Sequence, residues 1–328
     1  MNRPIVFWLG VVALAVVFLT LSPSHVTAKH SDQLFYEDTV ERMQRGEDYY
    51  SAMDAALFGV TQAPLTQIRS FRLPTVFIIW RYVGLSWPLA FVVLVGSGYL
   101  TMRLTTPIVG LAMAAYLVRL AHPVGGLDYA WVEFWALPLV LAAMLAIRDD
   151  RWTAACICAF GAAAIRELAA PLVVSGLIAA LIFDRPWKPW ALATGTYVGL
   201  FAIHAHLAAT HIAPSGFEGP LVGTGGSAYL FDMAAPALGV FGFAAVAWAF
   251  WRGRFTAEWW LVGPLVIGIP LLGLVMGRSY WGILVFPIAI PLLWADRQRP
   301  PTRTRDVIRL PESEIVAPRE PVGQGSAT

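Results

Sequence analysis

The stretch WTAACICAFGAAAIRELAAPLVVSGLIAALIF, residues 152–183, decides the fold. Its only charged residues are Arg166 and Glu167, near the middle. Basic residues bracket it, with Arg148 and Arg151 before and Arg185 and Lys188 after. Each half is about 15 residues, or about 22 Å of helix at 1.5 Å per residue. A bilayer's hydrocarbon core is about 30 Å thick. Two half-length helices therefore turn before reaching the far side. A turn at that depth is tolerable only against protein or a water-filled cavity. The pattern predicts a helical hairpin with a charged pair at the floor of an external cavity.

The rest of the chain fits this setting. Of its 328 residues, 58% are hydrophobic and 13% charged, and the mean hydropathy is +0.63. Soluble domains carry about twice that charge fraction, and one soluble core could not cover so much apolar surface. Apolar runs fall at 4–21, 86–102, 104–120, 130–147, 152–166, 168–183, 189–207, 228–251, 258–276 and 280–294. Read as spans with the N-terminus inside, they put Arg3, Arg103, Arg148, Arg151, Arg185, Lys188, Arg252 and Arg254 on the cytoplasmic side. That agrees with the positive-inside rule. The expected fold is an all-α polytopic membrane protein of roughly ten spans over residues 1–295. The Pro-, Arg- and Glu-rich residues 296–328 are expected to form a disordered cytoplasmic tail.

Residues 22–81 form a long external loop in this scheme. Gln33–Arg45 reads as an amphipathic helix, with Leu34, Phe35, Val40 and Met43 on one side and Glu37, Asp38, Glu41 and Arg42 polar. It is expected to lie on the membrane surface, with Thr75–Tyr82 as a second, shorter interfacial piece. Residues 208–227 form a Gly-rich loop with no GK[ST] to bind phosphate. The first run, 4–21, suits an uncleaved signal anchor, although Val26-Thr27-Ala28 also fits a peptidase site. Cys156 and Cys158 sit in an apolar run and give no disulfide framework. No basic fold motif points to nucleic acid.

Ionisable groups near membrane depth are functional candidates by default. On the external side these are Arg119, Asp128, Glu133, Arg166, Glu167 and Arg278. Asp128 and Glu133 read equally as loop and cap residues. Arg166-Glu167 reads equally as a structural pair holding the turn, and Arg278 as a helix-end anchor. His204 and His211, seven apart, can share a helix face while His206 does not. They suit an interface as well as a metal.

The first loop carries a recognisable order of residues: Ser31-Asp32-Gln33-Leu34-Phe35-Tyr36, Val40-Glu41-Arg42-Met43 and Gly46-Glu47-Asp48-Tyr49-Tyr50. It resembles the first-loop motif of the GT-C superfamily, membrane glycosyltransferases that use polyprenyl-phosphate sugars. Phe71-Arg72-Leu73-Pro74, Arg166-Glu167-Leu168 and Gly277-Arg278-Ser279-Tyr280 with Pro287 resemble later family segments. The nearest patterns are actinobacterial polyprenol-phosphate mannosyltransferases and the lipid A and protein O-glycosyltransferases. Gln33 stands where the motif usually has a second acid.

The resemblance implies sugar transfer from a polyprenyl-phosphate donor to a glycan, lipid or protein acceptor outside the plasma membrane. It makes Asp32 the general base. Arg166 and Arg278 are the leading phosphate ligands, with Arg119 and Arg72 behind them. Glu167 orients Arg166 or binds substrate or metal, and Tyr36, Tyr49 and Tyr50 are the binding aromatics. Some members use a divalent cation, and no ligand set for one is assigned here. Two rivals stand beside this reading. A transporter or lipid flippase needs ionisable groups along a path open to the cytoplasm. A non-catalytic scaffold acts through its tail.

Overall fold

The computed structural model describes residues 3–20, 31–61, 72–121, 132–211, 256–276, 287–292 and 294. Every regular element among them is helical. Helices α1 (Arg3–Thr20), α2 (Ser31–Gln44), α3 (Tyr49–Thr61) and α4 (Thr75–Val83) are followed by α5 (Trp87–Leu104), α6 (Pro107–Ala121) and α7 (Val132–Arg148). Next come α8 (Trp152–Ile165), a 3₁₀ turn at Glu167–Ala169, α9 (Pro171–Ile182), α10 (Lys188–Ala209) and α11 (Ala257–Met276). Residues 287–292 are also helical. The apolar run at 228–251 and the tail from Asp296 lie outside the described residues.

Helix α7 is the centre of the packing. Every residue from Val132 to Leu137 is buried, and the helix contacts α8, α5 and α11. Helices α5 and α6 form a tight hairpin turned by Thr105 and Thr106, with Pro107 opening the second arm. Proline is well placed there, because a first-turn N–H has no intrahelical partner. Arg148, at the end of α7, donates to the Leu104 carbonyl at 3.1 Å and also to that of Arg103, closing the end of α5. Helices α5 and α10 are long and apolar enough to cross a membrane.

In the first loop, α2 buries Phe35, Tyr36, Thr39, Val40 and Met43 against α3 and α4. Leu34, expected on that face, is exposed. The apolar side of α2 is therefore covered by protein, and the lipid-surface role expected of it does not follow.

Candidate functional site

The expected break between two short helices is present. Helix α8 has 14 residues and α9 has 12, about 21 and 18 Å at 1.5 Å per residue. Arg166 leaves the helical region, at φ −138 and ψ 112. Its backbone N–H still bonds to the Ala162 carbonyl, at 2.8 Å. Pro171 then restarts the helix.

The Arg166 side chain is 1% exposed. One guanidinium nitrogen, Nη1, lies 2.8 Å from Glu167 Oε1. The other, Nη2, lies 2.6 Å from Glu133 Oε1 on α7, too poorly aligned to count as a hydrogen bond. Arg72, just before α4, reaches the same Glu167 Oε1 at 3.2 Å. Two arginines and two carboxylates thus form one connected group, balanced in formal charge. Arg166 Nε and Glu167 Oε2 are buried without a hydrogen-bond partner among the described residues. Balance is needed, because an uncompensated buried charge costs several kcal/mol.

The first loop reaches this group through an aromatic run. The Tyr49 hydroxyl donates to the Arg72 carbonyl, and Tyr49 lies within electrostatic reach of Glu167, Tyr36 and Arg72. Burial pushes its phenol well above the ordinary range and keeps it protonated. Tyr36 packs its ring on Phe77 and Trp80, at 5.4 and 6.1 Å. Trp80 meets Trp135 of α7 at 5.4 Å. Tyr50 turns the other way. Its hydroxyl is 3.0 Å from His204 Nδ1, and its ring stacks on His211 at 6.0 Å.

The structure thus brings together Tyr49, Arg72, Arg166 and Glu167, with Tyr36 and Tyr50 in the adjoining aromatic packing. Arg119 is exposed in the last turn of α6, a helix packed on α5 and α1. Asp32 lies in the first turn of α2, but its side chain is outside the described residues, as are Arg278 and Asp128. Arg166, expected to face a phosphate, is instead enclosed by two carboxylates. Arg72, placed second in rank by sequence, is the arginine at the group's outer edge.

Glu133 was among the external ionisable candidates and read equally as a cap; an acid inside Trp131-Val132-Glu133-Phe134-Trp135 was the signal. Tyr197 of α10 lies within electrostatic reach of Glu167 and Arg166, and nothing in its local sequence marks it. The His204 and His211 pair is explained by Tyr50. Among the described residues, no group of three or more His, Cys, Asp or Glu side chains is arranged to hold a metal. No protein family, curated protein or solved structure matches the chain.

Proposed function

We propose that the protein is a multi-pass membrane glycosyltransferase of GT-C type. It takes a sugar from a polyprenyl phosphate on the external face of a bacterial plasma membrane. The N-terminus and tail are cytoplasmic. Besides α5 and α10, α1 and α11 have 18 and 20 residues, about 27 and 30 Å at 1.5 Å per residue. Those lengths suit a hydrocarbon core of about 30 Å. The observation that carries the reading is the Arg72–Glu167 contact, which spans 95 residues of sequence. It joins the first loop to the charged break between two half-length helices.

In the reaction, an acceptor hydroxyl attacks the anomeric carbon as the bond from that carbon to the phosphate oxygen breaks. Asp32 takes the hydroxyl proton, and polyprenyl monophosphate leaves. Arg72 neutralises the departing phosphate through its forked donors. Glu133 holds Arg166, Arg166 holds Glu167, and Glu167 holds Arg72. The test uses full-length protein in vesicles with a radiolabelled polyprenyl-phosphate hexose and an envelope extract as acceptor. Transfer is expected with wild type and lost in Asp32→Asn. Equal transfer by a folded Asp32→Asn protein would remove Asp32 as the base.

A second reading, a non-catalytic scaffold, is favoured by the enclosure of Arg166 between two carboxylates. It predicts that removing the residues after Asp296 abolishes function. The enzyme reading predicts that transfer survives this truncation.

A further inference from the structure

We propose that His204 of α10 is a positioning residue for Arg72, acting on it through the Tyr50–Tyr49 pair. The inference rests on the phosphate role given to Arg72 above. It makes Tyr50 a tie between two parts of the chain instead of a residue that touches substrate. Asp48, Tyr49 and Tyr50 each hold something different, because neighbouring helical residues point about 100° apart. Asp48 Oδ1 accepts from the backbone N–H groups of Tyr50 and Ser51 and fixes the start of α3. The Tyr49 hydroxyl donates to the Arg72 carbonyl. The Tyr50 hydroxyl lies 3.0 Å from His204 Nδ1, 154 positions along the chain. Burial raises the Tyr50 phenol above its ordinary range, so near neutral pH it keeps its proton and donates to Nδ1 of a neutral imidazole. The Tyr50 ring also meets Tyr49, His204 and His211, at 5.0, 5.7 and 6.0 Å. Its hydroxyl and its ring are both spent on protein.

His204 is an effective anchor because its helix also reaches the charged group. Helix α10 packs on α8 and α9, the two arms of the charged hairpin, and its Tyr197 lies within electrostatic reach of Glu167 and Arg166. Tyr197 and His204 are seven residues apart, which puts them on one helix face, about 10 Å apart along the axis. Phe201 lies between them, its ring 6.2 Å from each. His204 itself is buried. One rigid helix therefore meets the α8–α9 break at one point and the first loop at another. Arg72 is held at both ends within this frame. Glu167 takes its guanidinium at 3.2 Å, and Tyr49 takes its backbone carbonyl. His204, by fixing Tyr50, sets where the neighbouring Tyr49 offers its hydroxyl. The ordering of Arg72 is then met on folding and not on binding, which raises affinity for the phosphate without adding a contact to it.

The test is a pair of mutant cycles read by binding of a polyprenyl monophosphate to the full-length protein in detergent. Tyr50→Phe keeps the ring and removes only the tie. It is expected to raise Kd about threefold to tenfold, the size of one neutral hydrogen bond. Adding His204→Leu to it should cost nothing more, because the two act as one unit. Adding Tyr50→Phe to Arg72→Gln should also cost nothing more, because the tie acts only through Arg72. His204→Gln, whose amide oxygen can still accept from Tyr50, should keep more affinity than His204→Leu, a difference that packing alone would not produce. If His204→Leu fails to fold, the Tyr50 and Arg72 cycle decides by itself. Losses that add in the Arg72→Gln background mean that Tyr50 touches the ligand, and overturn the proposal. Unchanged binding by folded Tyr50→Phe overturns it too, while leaving the role of Arg72 intact. No binding by folded wild type removes the phosphate role of Arg72 and the proposal with it.

Discussion

The α5–α6 and α8–α9 hairpins are built from similar apolar sequence but hold together differently. In the first, small residues let the backbones touch. A Cβ on Gly98 would lie 2.5 Å from Ala114 Cβ and 2.8 Å from the Gly110 carbonyl oxygen. The hydroxyls of Ser97, Thr101 and Thr105 bond to carbonyls one turn back, at 3.0, 2.9 and 2.6 Å, so they need no partner across the seam. The second hairpin has shorter arms and keeps Arg166 and Glu167 at its turn, with Glu133 and Arg72 brought in from elsewhere. A helical hairpin in this fold can therefore be made with its own charged residues, Arg103 and Arg119, left exposed. The charges at the α8–α9 break are extra, they are costly, and they join three separate parts of the chain.

The largest test breaks the charged hairpin. Arg166→Met leaves Glu133 buried without its cation and should cost about 3–5 kcal/mol, read as a lowered melting temperature in detergent. Adding Glu133→Leu should recover most of that loss, because apolar replacement of a buried pair is often neutral. A site role predicts a stable double mutant that still fails to transfer sugar. A purely structural role predicts that transfer returns with stability.

The α5–α6 hairpin should respond to volume instead. Gly98→Leu should cost about 1–3 kcal/mol or more by overpacking. Gly96→Ala, where an added Cβ meets nothing within 4 Å, should stay within about 0.5 kcal/mol. Thermal melts of the two variants sharpen the contrast between a seam set by size and one set by charge.

The smallest effect concerns the loop that feeds the charged break. Asp48 Oδ1 accepts from the backbone N–H groups of Tyr50 and Ser51, at 3.0 and 3.2 Å, and so caps α3. Asp48→Ala should cost about 1 kcal/mol. Hydrogen bonding by Ser51 holds the Asp48 carboxyl below its usual range. A carboxylate with a depressed folded pKa adds stability above its unfolded value of about 3.9. That contribution is lost as pH falls through the folded value. The wild-type advantage over Asp48→Ala should therefore be full near neutral pH and vanish in strong acid, as measured by paired melts.

Much of the fold was legible because apolar runs bounded by basic residues mark helices directly. The runs at 86–102, 104–120, 152–166 and 189–207 became α5, α6, α8 and α10 within a few residues. Helix α3 was not read. Its buried positions, Tyr49, Ala52, Met53 and Ala56, do follow helical spacing, but two of the four are alanine and they sit in a loop otherwise judged by its polar start. Sequence also named Arg166 and Glu167 but ranked Arg166 above Arg72. Enclosure of Arg166 depends on Glu133, whose place beside it is set by α7–α8 packing rather than by any local pattern. The face of α2 was misread at Leu34 because Tyr36 and Thr39, the true partners of Val40 and Met43, look polar in isolation.

In the proposed enzyme, the group at the α8–α9 break receives a lipid phosphate through Arg72. The most direct measurement is binding of a polyprenyl monophosphate to the purified full-length protein in detergent, for wild type, Arg72→Gln and Arg45→Gln. Saturable binding is predicted for wild type, with about a tenfold or greater loss in Arg72→Gln, as expected for a charge-assisted hydrogen bond. Arg45, exposed just beyond the end of α2, should make no difference. No binding by folded wild type, or equal binding by all three proteins, would contradict the account.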